Sequence, residues 1–142
     1  MIDLYSRRVV GWSMNHNNNT KLAIDILLMA IKNKPKQQKV PLHSDQGSAY
    51  RACKYLKSFK ANNITQSMSK KCECHDNAVA ERFFNTLKTE LINQQTYQTR
   101  REVSSAIFEY IKVFYNKIRR HSTIDYYPPN GYEKRFYRNN TL

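Results

Sequence analysis

Residues 74–88 of the 142-residue chain read CHDNAVAERFFNTLK. Asp76 is a natural N-cap, because a short acidic side chain can accept a hydrogen bond from an orphaned N–H of a helix's first turn. The residues after it keep a helical period. At about 100° per residue, with Val79 at zero, Val79, Ala80, Phe83, Phe84, Leu87 and Leu91 fall within an arc of about 140°, the stripe that packs on a core. Asn77, Glu81, Asn85 and Lys88 fall in the polar strip beside it, so Glu81 is expected at a half-buried rim. Seven residues advance an α-helix by roughly 10 Å and return a side chain to within about 20° of its starting direction. Glu81 and Lys88 therefore share a face.

Upstream of this helix, strand and helix patterns alternate, with no repeat and no low-complexity tract. Residues 8–14, RVVGWSM, follow the polar turn Tyr5-Ser6-Arg7 and carry β-branched and aromatic residues, which predicts the return strand of a hairpin. Thr20 is a plausible N-cap for a helix whose apolar residues Ala23, Ile24, Leu27, Leu28 and Ile31 keep helical spacing until Pro35. Residues 40–45, VPLHSD, predict a short strand, with Pro41 tolerable only near its start. QGS then turns the chain into a helix carrying Tyr50, Cys53, Leu56 and Phe59 at spacings of three. Residues 64–68 predict a further extended segment, and the basic loop 69–75 leads into the helix that carries Glu81.

The composition points to an anionic partner. Lys and Arg number 24 against 11 Asp and Glu, a net charge of +13, and nucleic acid is the leading candidate for such a surface. The start, MIDLYSRR, lacks the apolar segment of a secretory signal, and no apolar run reaches the length of a membrane span, so a cytoplasmic, DNA-associated protein with no membrane partner is expected. Cys53, Cys72 and Cys74 are odd in number and do not form the even framework of a disulfide-stapled domain. Cys72, Cys74 and His75 invite a zinc reading, but structural zinc sites use two ligand pairs and no second pair is present.

Taken alone, Glu81 is an ordinary solvated helix residue and Lys88 an ordinary surface cation. Asp45 changes that weighting. It ends a predicted strand in HSDQG, and an acid at a strand end with another on a helix is one way nucleases hold divalent cations. Between Asp45 and Glu81 lie 35 residues.

The strings DLYSRRVVGW, HSDQGSAY, QSMSKKCECHDNAVAERFFNTLKTEL and YNKIRRHSTIDYYPPNGYE span nearly the whole chain. In these, and in their order, the sequence resembles the orfB-type transposases of bacterial insertion sequences in the group numbered three. That family shares the retroviral-integrase catalytic core, and a gap of 35 residues between its second and third acids is the group's signature. The resemblance implies an RNase H-like α/β fold, with Asp45 and Glu81 as two of three catalytic and metal-binding carboxylates and Lys88 as a DNA contact. It also implies two Mg²⁺ or Mn²⁺ ions, DNA (element ends and target) as partner, and a homo-oligomer in the intact family. Metal ions held by hard carboxylate oxygens stabilise the charge that builds on oxygen during phosphodiester cleavage and attack of the freed 3′-hydroxyl. His43 matches the family and is expected to orient the turn, while Ser44 has no partner arrangement of a nucleophile.

Three departures accompany the match. Cys72 and His75 stand where such transposases more often carry glycine and tryptophan. The third concerns the family's first aspartate, which lies on a first strand upstream of the hairpin. Asp3 is not that residue, since it belongs to DLYSR and suits a turn. The resemblance thus predicts an RNase H-like fold lacking its first strand and most of its second.

Toward the C terminus, Thr99 and Glu102 form a capping box, and Val103, Ile107, Ile111 and Phe114 or Tyr115 continue an apolar stripe. Arg119, Arg120 and His121 gather at the end of that helix, where its dipole favours cations, and are expected either to cap it or to contact DNA. An aromatic, basic tail runs from Tyr126 to Arg138 through Pro128 and Pro129. The expected organisation is a single partial integrase-core domain over 1–142, with the remaining RNase H-like core in 1–98 and the C-terminal helix and tail in 99–142. The expected function is DNA transposition and integration in the intact family, with this chain inactive alone. The rival is a non-enzymatic, basic DNA-binding remnant.

Overall fold

A computed structural model describes residues 1–17, 19–32, 39–69 and 78–140. The chain is mixed α/β and divides into two compact units, one of Met1 with Val10–Glu81, the other of Ile2–Val9 with Arg82–Leu142.

The first unit is built on a parallel β-α-β segment. β1 (Val40–Ser44) pairs with β2 (Ile64–Met68) in the register Val40↔Ile64 through Ser44↔Met68. Parallel neighbours need a crossover between them, here supplied by α2 (Ser48–Arg51) and α3 (Cys53–Lys60). Pro41 sits second in β1, near the strand start as its missing N–H requires. Asn63 enters β2 at φ 54°, a left-handed conformation that asparagine tolerates, and its carbonyl accepts the Val40 N–H. The expected continuous helix after QGS is broken at Ala52, which is extended at φ −63°, ψ 133°. That break re-phases the apolar face: Tyr55 and Phe59 are buried, and Cys53 is exposed.

α1 (Thr20–Lys32) supplies the other half of this core, with Ala23 and Leu27 against Tyr55 and Phe59. Its start is capped one residue earlier than expected, since Asn19 Oδ1 accepts the Leu22 N–H at 3.0 Å. Pro35 lies outside the described residues. Preceding α1, residues 8–14 do not form the expected strand; a lone antiparallel bridge, Ile2↔Val9, is what forms. Gly11 explains part of this. A Cβ there would meet the Ile26 carbonyl oxygen at 2.3 Å and the Ala30 Cβ at 3.2 Å, so the segment lies against α1 at a distance that only glycine permits.

The second unit contains Arg82 onward of α4 (Ala78–Glu90), then α5 (Arg100–Glu109) and α6 (Pro129–Asn140). Phe83 and Leu87 of α4 are buried as the spacing requires, but Phe84, at the margin of the predicted stripe, is 55 % exposed. α5 begins with the expected cap: Thr99 Oγ1 accepts the Glu102 N–H, and the Glu102 carboxylate returns to the Gln98 N–H. It passes into a π-helical turn over Tyr110–Tyr115, where the Asn116 N–H reaches back five residues to the Ile111 carbonyl. The wider turn buries Tyr110, Ile111 and Tyr115 and leaves Phe114 outside.

The buried Asn116 has an unusual task. Its Oδ1 accepts the Val9 N–H at 2.9 Å and its Nδ2 donates to the Val9 carbonyl at 3.0 Å. Val9 thereby satisfies both backbone groups on one side chain, the pairing a neighbouring strand would otherwise make. At the bend before it, Asp3 acts as a turn builder: its Oδ1 accepts the Ser6 N–H at 2.6 Å and the Ser6 hydroxyl at 2.8 Å, with Arg7 at φ 61°.

Candidate active site

Asp45 follows the last residue of β1, at the C-terminal end of the parallel pair. The chain there is fastened to the end of β2 by both backbone and side chains. Ser69 N–H donates to the Ser44 carbonyl at 3.1 Å, and Gln46 Nε2 donates to the Ser69 carbonyl at 3.1 Å. His43 sits between two hydroxyls, with Nδ1 3.0 Å from Ser67 Oγ and Nε2 2.9 Å from Ser69 Oγ. The imidazole thus ties β1 to the exit of β2 directly before the acid, which agrees with an orienting role. Sequence reasoning missed Ser67, Ser69 and Gln46, because nothing in a strand's spacing announces which polar residues its neighbour's end will meet.

The carboxylate itself is exposed. Its Oδ1 accepts the Gly47 N–H at 2.8 Å, which closes a tight turn into α2. Among the described residues Oδ2 makes no hydrogen bond. A Cβ on Gly47 would lie 2.9 Å from Oδ1 and 3.3 Å from the Tyr50 ring, so the glycine makes room for the acid. Tyr50 feels that acid: burial first, then the charge of Asp45, holds its phenol above the ordinary range. Ser44 is buried with its hydroxyl donating to the Asp45 carbonyl at 3.1 Å, a structural bond.

Glu81 lies in the first turn of α4. It is exposed rather than half-buried, and it makes no hydrogen bond or ion pair with a described residue. The reason is local: the arc that packs is centred on Phe83 and Leu87, narrower than the stripe predicted, and leaves Glu81 outside with Phe84. Both acids are hard oxygen donors with unused lone pairs, the donor type that suits Mg²⁺ or Mn²⁺. Among the described residues, however, no three His, Cys, Asp or Glu side chains come together in a group that could hold a metal ion. Asp76, Cys72, Cys74 and His75 lie outside the described residues.

The expected cations differ in what they are already doing. Lys88 is exposed, two turns beyond Glu81 on α4. Arg120 is exposed and, among the described residues, makes no ion pair. Arg119 is engaged: its Nε and terminal nitrogen hold Glu90 at 2.7–2.9 Å, and its guanidinium lies 5.8 Å from the Tyr115 ring centre. Glu90 also accepts the Tyr110 hydroxyl at 2.6 Å. Burial alone would raise the Glu90 pKa, but the bonds from Arg119 and Tyr110 outweigh it and hold the carboxyl below its ordinary value. His121 packs edge-on against Tyr115 with ring centres 4.9 Å apart, and burial, then the Arg119 charge, lowers its pKa to about 4. The imidazole is thereby held toward its neutral form.

Two profiles of the integrase core domain match the chain, one over residues 1–74 and another over residues 81–142. The chain belongs to the integrase core family. Membership implies an RNase H-like fold, of which the parallel β1–β2 pair and the helices around it are the described part. Among similar proteins is the transposase for insertion sequence element IS904 of Lactococcus lactis, 41 % identical over 133 residues, covering 94 % of this chain and 53 % of that protein. Another is the transposase InsF for insertion sequence IS3A of Escherichia coli, 38 % identical over 135 residues, covering 95 % of this chain and 47 % of that protein. The chain spans about half the length of the curated relatives it matches. Among the described residues no helix is long and apolar enough to cross a membrane.

Proposed function

We propose that this integrase-core chain serves DNA transposition and integration, contributing Asp45 and Glu81 as two carboxylates of a divalent-metal site for DNA strand cleavage and strand transfer. The observation that carries this reading is the similarity of 94–95 % of the chain to two insertion-sequence transposases. The open lone pairs of Asp45 and Glu81 agree with it, as does the chain's net charge of +13.

In this reading Asp45 and Glu81 hold Mg²⁺ or Mn²⁺, two ions in the intact site. Bound there, the metal would activate the attacking oxygen and stabilise the leaving one without a covalent enzyme intermediate. The chain's own part is positional. The Gly47 N–H fixes one Asp45 oxygen and leaves the other for a ligand. The bonds of His43 to Ser67 and Ser69 keep the strand end from shifting as charge is bound beside it. Lys88 and Arg120 remain as cations for phosphate, whereas Arg119 and His121 serve the chain's own packing. The intact assembly would act on element ends and target DNA as a homo-oligomer.

The rival reading, a basic DNA-binding remnant, is supported by the net charge of +13, which suits an anionic partner whether or not the two acids hold a metal. Both readings expect residues 1–142 alone to leave DNA uncut, and they part on a longer protein. Strand cleavage by a protein in which these residues are joined to a further aspartate-bearing strand, lost in Asp45→Asn and in Glu81→Gln with duplex binding retained, supports the catalytic reading. Cleavage unaffected by both substitutions, or absent throughout while duplex DNA is still bound, supports the remnant.

A further inference from the structure

We infer that the turn around Tyr5, the Asp125–Tyr127 loop and the exposed side of α6 together form a stacking platform for unpaired DNA. The inference rests on the DNA-acting reading above but concerns a surface that reading does not use.

The loop is the first indication. Asp125 and Tyr126 are consecutive left-handed residues, at φ 54° and 58°, a conformation disfavoured for a bulky side chain such as tyrosine. It is fastened on both sides, since the Tyr126 N–H donates to the His121 carbonyl at 3.0 Å and the Tyr127 N–H to the Ile124 carbonyl at 3.0 Å. The result is Tyr126 held in water at 68 % exposure. Backbone strain spent on exposing an aromatic ring calls for a role that burial cannot supply.

The neighbours make that ring part of a surface. Arg135 of α6 lies over Tyr127, 5.3 Å from its ring centre, and 3.9 Å from the Asp125 carboxylate, so the residues on either side of Tyr126 are both anchored on one guanidinium. Further along α6, Phe136 packs at 5.0 Å on Tyr5, which also meets Tyr132 at 5.0 Å. Tyr5 and Phe136 keep 50 % and 42 % of their surfaces in water. Glu133, the acid of α6, is neutralised by Arg8, while Lys134 and Arg138 are exposed.

Exposed rings on a loop and helix that also carry Lys134, Arg135 and Arg138 match unpaired nucleic acid: bases stack on the rings and phosphates meet the cations. Duplex DNA hides its base faces and would engage only the cations. A second copy of the chain is the competing occupant, but cations along the same strip repel their own image, which favours the anionic strand.

The test compares a fluorescein-labelled oligothymidylate with an abasic backbone of equal length and with a duplex, by anisotropy at fixed salt. Oligothymidylate should bind the 142-residue chain about tenfold more tightly than the abasic strand, the scale of one stacked base. Tyr126→Ala and Phe136→Ala should each erase most of that ratio while leaving the duplex constant unchanged, and Tyr126→Phe should keep it. Tyr126 is exposed, so its variants keep the fold, verified by circular dichroism. Equal binding of oligothymidylate and abasic strand overturns the platform. So does concentration-dependent self-association in sedimentation that Tyr126→Ala abolishes, which would assign the surface to a second copy. Loss of binding to all three probes instead overturns the DNA reading itself.

Discussion

The end of β1 and the cluster around Glu90 both place an acid near the end of an element, yet they treat it oppositely. Asp45 gives one oxygen to a backbone N–H and, among the described residues, keeps the other unbonded in water. Glu90 spends both oxygens, on Arg119 and on the Tyr110 hydroxyl. A structural ionisable group is thereby distinguished from an available one. When the chain itself satisfies a group's hydrogen-bonding capacity, the group holds the fold; when neighbours fasten the backbone but leave the side chain open, it is accessible to solvent and to any ligand. Arg119 and Arg120, adjacent in sequence, divide along the same line.

Asn116→Ala would leave the buried Val9 N–H and carbonyl unpaired, and should lower unfolding free energy by about 3 kcal/mol, given ~1–3 kcal/mol for each stranded group. Urea denaturation measures this. An effect no larger than that of an average surface substitution would show that Val9 finds water or another partner.

A pH titration sharpens the electrostatic half. The His121 pKa is lowered to about 4 in the folded chain against 6.5 for the ordinary group. A base whose folded pKa is depressed binds its proton more readily when unfolded, so protonation favours the unfolded state. Stability should therefore be highest above about pH 6.5, fall as the pH drops toward 4, and level off below that. The Glu90 carboxyl, also depressed, adds a loss only below its own ordinary range, at more acid pH. Thermal melts between pH 7 and 4 should show the slope, and His121→Gln should flatten it; an unchanged slope in that variant would assign it elsewhere.

On the open side, His43→Ala removes two side-chain bonds that fasten the strand end. It should cost about 1 kcal/mol in the same urea assay, the usual net contribution of such bonds in a partly exposed setting. The smallest effect is expected at the acids themselves. Asp45→Asn and Glu81→Gln are exposed, and each should change stability by no more than ~0.5 kcal/mol. A loss several times larger at either position would mean that it belongs with Glu90 among the structural acids.

How much of this was legible in the sequence depended on whether the signal was local. The β1–β2 segments, the body of α4 and the Thr99–Glu102 cap announce themselves through alternation, helical period and side-chain chemistry within a few residues. The break at Ala52 did not, because apolar residues three apart suit one helix or two short ones equally well. Phe114 and Tyr115 could not be separated by spacing, since the π-helical turn changes the phase just there. For Glu81 the period placed the polar strip correctly, but burial depends on what packs beside it, and the packed arc proved narrower. The engagement of Arg119 by Glu90, 29 residues away in sequence, is a tertiary pairing that periodicity does not encode. The place of His121 at a helix end suggests a cation, but partial burial and the Arg119 charge lower its pKa.

A backbone N–H and C=O facing outward from an extended segment form a template on which a foreign strand can grow, the usual seed of sheet-to-sheet aggregation. Because the Asn116 side chain occupies both groups of Val9, that edge is sealed by a single residue from the turn after the π-helical segment. Such a seal is finer than a capping strand and leaves no new edge of its own. It lets a short hairpin with one bridge keep its buried backbone groups paired without a neighbouring strand.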